Sequence, residues 1–233
     1  MITALVTGGT GFVGSHVARA LIQRGYRVRI LRRTTSRLDA IADLDCEHAI
    51  GDVMDPDSLA AAMQGVDWVF HTAAVADYWR NDPARIYAIN VDGTRNVLLA
   101  AEAAGVRRVI FTSSAAAVGY RTDLHPVDES VRFNYDQRLT PYGHSKFLAE
   151  AEVYRAIRRG LDCVILNPTV IIGPGDLNQI SSSVVIEAAR GSVPPTVPPG
   201  GVTLIDVRDV AEAHVAAAER GRTGERYLLG AVD

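Results

Sequence analysis

Alternation is the feature that most constrains this chain. Short apolar runs at 2–7, 27–32, 46–51, 67–72, 107–112 and 162–167 are separated by segments of helical periodicity at 12–24, 35–42, 56–64, 84–104 and 139–159. Runs rich in Val, Ile, Leu and Ala, with no polar alternation, read as strands buried on both faces. Gly25, Gly65, Gly105 and Gly160 stand where helices should stop. Asp55-Pro56 and Thr140-Pro141 carry the cap-then-proline signature of a helix start. Strands alternating with helices imply an α/β fold: a parallel, doubly wound sheet covered on both faces. After residue 168 the rhythm breaks. Residues 173–205 read as loop around one short helix at 182–190, followed by a strand at 202–205, a helix at 208–220 and a last strand at 226–229.

Composition narrows the function classes. The chain has 233 residues, 48% of them hydrophobic, enough to bury a sizeable core. A net charge of -3 and a pI near 6.1 offer no basic field for nucleic acid or a membrane surface. No apolar stretch reaches membrane-spanning length and no signal peptide opens the chain, so a soluble cytoplasmic protein is expected. Cys46 and Cys163 sit in apolar runs and read as buried thiols of a reducing compartment. No residue is assigned to a metal.

The turn Thr7-Gly8-Gly9-Thr10-Gly11-Phe12-Val13-Gly14 lies between the first strand and the first helix. Glycine here serves a tight turn, close approach of backbone to a pyrophosphate, and close helix–strand packing. The helix N-terminus then presents N–H groups and partial positive charge to the anion. With a strand before it, a helix after it and a second strand ending about 20 residues on, the pattern reads as a dinucleotide site of Rossmann type. The second strand ends Leu31-Arg32-Arg33 and lacks the acid that would bind an adenosine 2′-hydroxyl. A guanidinium suits a 2′-phosphate, so NADP is expected, with NAD the alternative. Asp52, beside Val53, is placed either for the adenine amino group or for a helix cap, and Asp55 is the better cap.

Tyr142-Gly143-His144-Ser145-Lys146 sets a phenol and an ammonium at i and i+4 on one helix face. Of 24 basic residues, Lys146 is the only lysine; the other 23 are arginine. A nearby ammonium favours the phenolate and suits the pair to proton exchange with a substrate oxygen.

With these motifs, His71-Thr72-Ala73-Ala74, Asn90, Thr112-Ser113-Ser114 and Asn167-Pro168 with Gly173-Pro174-Gly175-Asp176 complete a resemblance. The chain resembles the extended short-chain dehydrogenase/reductases, the epimerase/dehydratase superfamily, over essentially its whole length. The resemblance implies that Tyr142 is the general acid/base, Lys146 its activator and ribose donor, and Ser114 the hydroxyl that orients substrate. It makes Asn90 the support of a water chain to the lysine. The cofactor would be held by the glycine turn, Arg32, Arg33, Asp52, Val53, Thr72 to Val75, Thr112, Ser113, Tyr142, Lys146, Asn167, Pro168 and Val170. His71 reads as a satisfied core residue.

Alanines at 115–117, where dehydratases carry an acidic pair, and the apolar run 169–172 favour the dihydroflavonol-reductase and 3β-hydroxysteroid-dehydrogenase branch. A ketone or aldehyde reductase is therefore expected. A nucleotide-sugar epimerase and a non-catalytic NAD(P)-binding module are the alternatives. Residues 1–167 form the expected cofactor domain, and 168–233 a partial substrate region interleaved with it. Family members usually continue well beyond a strand like 226–229, so a longer protein is expected. Tyr78, Trp79, Tyr120, Phe133 and Tyr135 either stack on an aromatic substrate or pack their own loops. Arg208 either reaches an anionic substrate or pairs with Asp209. A homodimer through the helices at 84–104 and 139–159 is implied by the resemblance.

Overall fold

The computed structural model describes residues 1–76, 82–123, 125–177, 183–192 and 201–231. In chain order the elements are β1 (Thr3–Thr7), α1 (Phe12–Gln23), β2 (Arg27–Arg32), β3 (Glu47–Ile50), α2 (Pro56–Ala62), β4 (Trp68–His71), α3 (Pro83–Tyr87), α4 (Gly93–Ala103), β5 (Arg108–Thr112), α5 (Pro141–Arg159), β6 (Cys163–Pro168), β7 (Val170–Ile172), α6 (Ser183–Ala189), β8 (Leu204–Asp206), α7 (Val207–Arg220) and β9 (Arg226–Leu229). Seven strands form one sheet in the order β3-β2-β1-β4-β5-β6-β9, every pair parallel.

Most of the apolar runs are explained by burial on two sides; the strand expected to be buried at 46–51 is instead β3, an edge strand whose residues are mostly exposed. Leu5, Val69, Val109, Phe111 and Ile165 face one core, shared with α2, α4 and α5. Ala4, Val6, Phe70, Ile110, Val164 and Leu166 face the other, shared with α1 and α7. A strand covered on both faces has no polar positions to alternate with. The strand order reverses beside β1, and the crevice there opens above Gly8 and residues 72–75.

Several elements differ from the sequence expectation. The helix expected at 35–42 is a single 3-10 turn, Asp39–Ile41. The helix expected at 84–104 is continuous but contains a π turn, Ala88–Asp92, between α3 and α4. Residues 170–172, part of the apolar run to which no element was assigned, form β7 and pair in parallel with β8, from Val170↔Leu204 to Ile172↔Asp206. A three-residue strand carries too little pattern to register as one. The proline-rich run at 193–200 and the start of the helix expected at 182 lie outside the described residues. α2 begins at Pro56, capped by the Asp55 carboxylate, which accepts from the N–H groups of Asp57 and Ser58. α5 begins at Pro141 and ends on Gly160 at φ 107°. Cys163 is buried as expected, but Cys46 is only half-buried; both are free thiols.

Candidate active site

The glycine turn is shaped by what lies behind it. Gly8 has φ +71°, and a Cβ there would sit 2.7 Å from the Ala73 nitrogen and 2.8 Å from its Cα. A Cβ on Gly14 would collide with the Gly8 carbonyl oxygen. Gly11 differs: it caps α1, and apart from its chain neighbours a Cβ would meet only the Gly8 oxygen, at 3.2 Å. The first turn of α1 holds no acidic residue and no side-chain cap, unlike α2 and α7. Thr10, Phe12 and Val13 are half-buried around an uncovered, positively polarised helix end, a fit for a dinucleotide pyrophosphate.

Behind the turn runs a directed hydrogen-bond chain. The Thr94 hydroxyl donates to the Asn90 carbonyl at 2.6 Å, so it accepts from His71 Nε2 at 2.9 Å. His71 Nδ1 then accepts from the Thr7 hydroxyl at 2.7 Å, and Thr7 Oγ1 accepts from the Ala73 N–H at 3.3 Å. Burial, with the Lys146 charge adding to it, pushes His71 down to about 3, so the ring is neutral. Both ring nitrogens are bonded within the core. Thr72 Oγ1 donates to the Thr7 carbonyl at 2.7 Å. The side chain of Asn90, on the π turn, accepts from the Val75 N–H at 2.8 Å and donates to its carbonyl at 3.1 Å and to Ser145 Oγ at 2.9 Å. Residues 72–75, including Ala73 and Ala74, are thereby held as a wall of the crevice.

At the end of β2, Arg32 donates from Nε to His48 Nδ1 at 2.8 Å, and Arg33 is exposed. Asp52 accepts from the Met54 N–H at 2.9 Å, so its carboxylate closes a local turn while Asp55 takes the cap. The Val53 side chain lies in the core beneath Gly93.

Tyr142 and Lys146 are both buried on α5. Lys146 Nζ donates to the Thr112 carbonyl at 2.6 Å and lies 4.4 Å from the centre of the Phe111 ring. Burial pushes it down to about 7, with the Glu150 carboxylate pulling upward. Burial also raises the Tyr142 phenol above its usual range, and a hydrogen bond from Ser114 draws it back. The phenol is thus neutral, shifted opposite to the lowering expected from the lysine. The adjacent serines bond different residues of α5. Ser114 accepts from the Ala116 N–H at 3.1 Å and bonds Tyr142, whereas Ser113 donates to Glu150 Oε1 at 2.5 Å.

Asn167 donates to the Ser114 carbonyl at 2.9 Å and to Glu150 at 2.7 Å; Pro168 closes β6 beside it, and Val170 is half-buried on β7. Glu150, Arg226 and His214 escaped the sequence reading. Arg226 on β9 pairs with Glu150 at 3.2 Å. His214 on α7 donates from Nδ1 to the Val210 carbonyl and therefore accepts from the Thr112 hydroxyl at 2.7 Å. Their partners lie 76 and 102 residues away, and only the one-turn spacing of Glu150 from Lys146 was visible in sequence.

Tyr120, Phe133 and Tyr135 pack on one another and, through Phe133, on His144 and Phe147. Tyr78 and Trp79 lie outside the described residues. Arg208 pairs with Asp206 at 2.6 Å rather than closing on Asp209. Among the described residues no helix is long and apolar enough to cross a membrane.

Comparison with known proteins agrees with this architecture. A Synechocystis sp. protein with dihydroflavonol 4-reductase in its name is 42% identical over 230 residues, covering 97% of this chain and 66% of that protein. This chain therefore spans just under two thirds of that relative. The crystal structure of gox2253 superposes with a TM-score of 0.93 at 45% identity, covering 99% of this chain and 70% of that one. The UDP-glucose 4-epimerase of Thermus thermophilus, solved in complex with NAD, gives 0.85 at 27% identity over 98% of this chain and 78% of its own. The model of the NAD dependent epimerase/dehydratase family matches residues 4–230, and this chain belongs to that family.

Proposed function

We propose that the protein is an NADP-dependent oxidoreductase that reduces a ketone or aldehyde, or oxidises the corresponding alcohol. The observation that carries the reading is buried Tyr142 and Lys146 with half-buried Ser114 beside the crevice of the glycine turn. Thr7 to Gly14 and residues 72–75 would hold the dinucleotide, with Asn167, Pro168 and Val170 near its nicotinamide end. Bound there, a reduced nicotinamide supplies hydride to the carbonyl carbon. Tyr142, a neutral phenol, gives its proton to the carbonyl oxygen, and Ser114 steadies that oxygen by a hydrogen bond. The Lys146 ammonium stabilises the phenolate left behind and donates to the ribose. The Synechocystis relative's name supports carbonyl reduction.

The preference for NADP rests on Arg32, whose guanidinium is steadied by His48 at a strand end that lacks an acid. Exposed Leu99 on α4 and Phe147 on α5 support a homodimer through those helices.

The test is oxidation of NADPH in the presence of aryl ketones, aldehydes and steroids, for the parent protein, Tyr142→Phe and Arg32→Asp. Tyr142→Phe should lose about 100- to 10,000-fold in kcat with NADPH binding intact. Arg32→Asp should weaken NADPH binding and spare NADH. Interconversion of a UDP-sugar without carbonyl turnover would establish the epimerase reading instead, for which the Thermus neighbour speaks.

A further inference from the structure

We propose that Glu150 is a positioning residue, which fixes Ser114 and the Lys146 ammonium from one helical turn further along α5. The carboxylate is 2% exposed and is bound from three strands at once. Ser113 at the end of β5 and Asn167 on β6 both donate to Oε1, at 2.5 and 2.7 Å, and Arg226 on β9 pairs with Oε2 at 3.2 Å. Asn167 also donates to the Ser114 carbonyl. Ser114 is therefore held from both sides: through the peptide that joins it to Ser113, and through its own carbonyl. A serine hydroxyl that must meet a phenol within hydrogen-bond reach gains from such a clamp, because small misplacements cost large factors in rate.

Charge is the second function of the same carboxylate. Lys146 faces Phe111 and the Thr112 carbonyl on β5, His71 on β4, and Glu150 on α5. His71 and Tyr142 are neutral at pH 7, for the reasons given above. Among the described residues Glu150 is thus the anion whose field acts on the ammonium, and it opposes the desolvation that would strip the proton from Lys146. Glu150 itself faces Arg226 and Tyr154, and the Arg226 guanidinium is shared with the carbonyls of Glu129 and Val131.

The Ser114 half of this proposal rests on the catalytic reading above; the Lys146 half does not. Because Lys146 is the chain's single lysine, protein grown with 13Cε-lysine gives one assigned side-chain NMR signal, titratable without cofactor or substrate. Glu150→Gln should lower the Lys146 midpoint by about one pH unit, a tenfold loss of proton affinity, and Glu150→Asp should restore most of it. In turnover assays Glu150→Gln should move the alkaline limb of carbonyl reduction to lower pH and reduce kcat, with the KM for NADPH little changed. Ser113→Ala should lower kcat and leave the midpoint in place. If Glu150→Gln does not fold, the paired variant Glu150→Met with Arg226→Met removes both charges without stranding either, and its midpoint should also fall. An unchanged midpoint in whichever variant folds overturns the charge role. An unchanged kcat in Ser113→Ala, in a protein that turns over, overturns the clamp. Absence of turnover in the parent protein refutes the catalytic reading and leaves the titration result standing.

Discussion

Replacing Gly8 by alanine tests the turn from which the site is built. Two separate costs arise. The backbone sits at φ +71°, where a Cβ costs about 1–2 kcal/mol. The new methyl would also stand 2.7 and 2.8 Å from backbone atoms of Ala73 and 2.9 Å from Thr72 Oγ1, and overpacking of this kind costs about 1–3 kcal/mol. Gly25 isolates the first cost, because its φ is +81° and nothing lies within 4 Å of its Cβ position. Urea unfolding of both variants should therefore show Gly25→Ala losing about 1–2 kcal/mol and Gly8→Ala losing about 1–3 kcal/mol more, at an unchanged m-value. The excess comes from displacing residues 72–73, which form the crevice wall, so it should reappear in cofactor linkage. NADPH at 100 times its dissociation constant stabilises a binding-competent protein by about 2.7 kcal/mol, and Gly8→Ala should forfeit most of that while Gly25→Ala retains it. Equal losses in the two variants would refute the packing of Gly8 against Ala73.

Two further outcomes follow from buried titratable groups. His71 and His214 are held neutral, at about 3 and about 4, by burial. Unfolding exposes them to protonation below their ordinary value of 6.5, so the unfolded state binds more protons as pH falls and stability falls with it. Between pH 6 and pH 5 the pair should remove about 2 kcal/mol, measured by urea unfolding, and His214→Gln should roughly halve that slope. Cys163, pushed up to about 12 by burial, should resist Ellman's reagent at pH 8 in the native protein and react on unfolding, while half-buried Cys46 reacts first.

The inner strands were legible because burial on both faces leaves a largely apolar run, whereas the edge strand β3 is mostly exposed; the helix ends were legible because Asp55, Pro56, Pro141 and Gly160 act locally. The turn at 39–41 and the strand at 170–172 were not. Each is set by tertiary partners over too few residues to show a period. Within the site, the Tyr142–Lys146 spacing is a property of one helix and reads directly. The partner of Ser113 is not local: it is Glu150, which reaches the site from α5 and is secured by Arg226, 76 residues further along. The tautomer of His71 is likewise decided by Thr94 and Asn90, on a different element.

The π turn at 88–92 makes chain length itself a determinant of the crevice. A π turn is one residue of slack in an α-helical ladder. Deleting any single residue between Ala88 and Asp92 would let α3 and α4 anneal into one regular helix, with little loss of helical hydrogen bonding. Everything upstream would then be rotated by about 100° relative to α4. Asn90 would swing away from Val75 and Ser145, and the wall at 72–75 would lose its fastening. Tolerance to insertions and deletions along this helix should therefore be sharply uneven, lowest at a place where no side chain is reactive and no charge is buried.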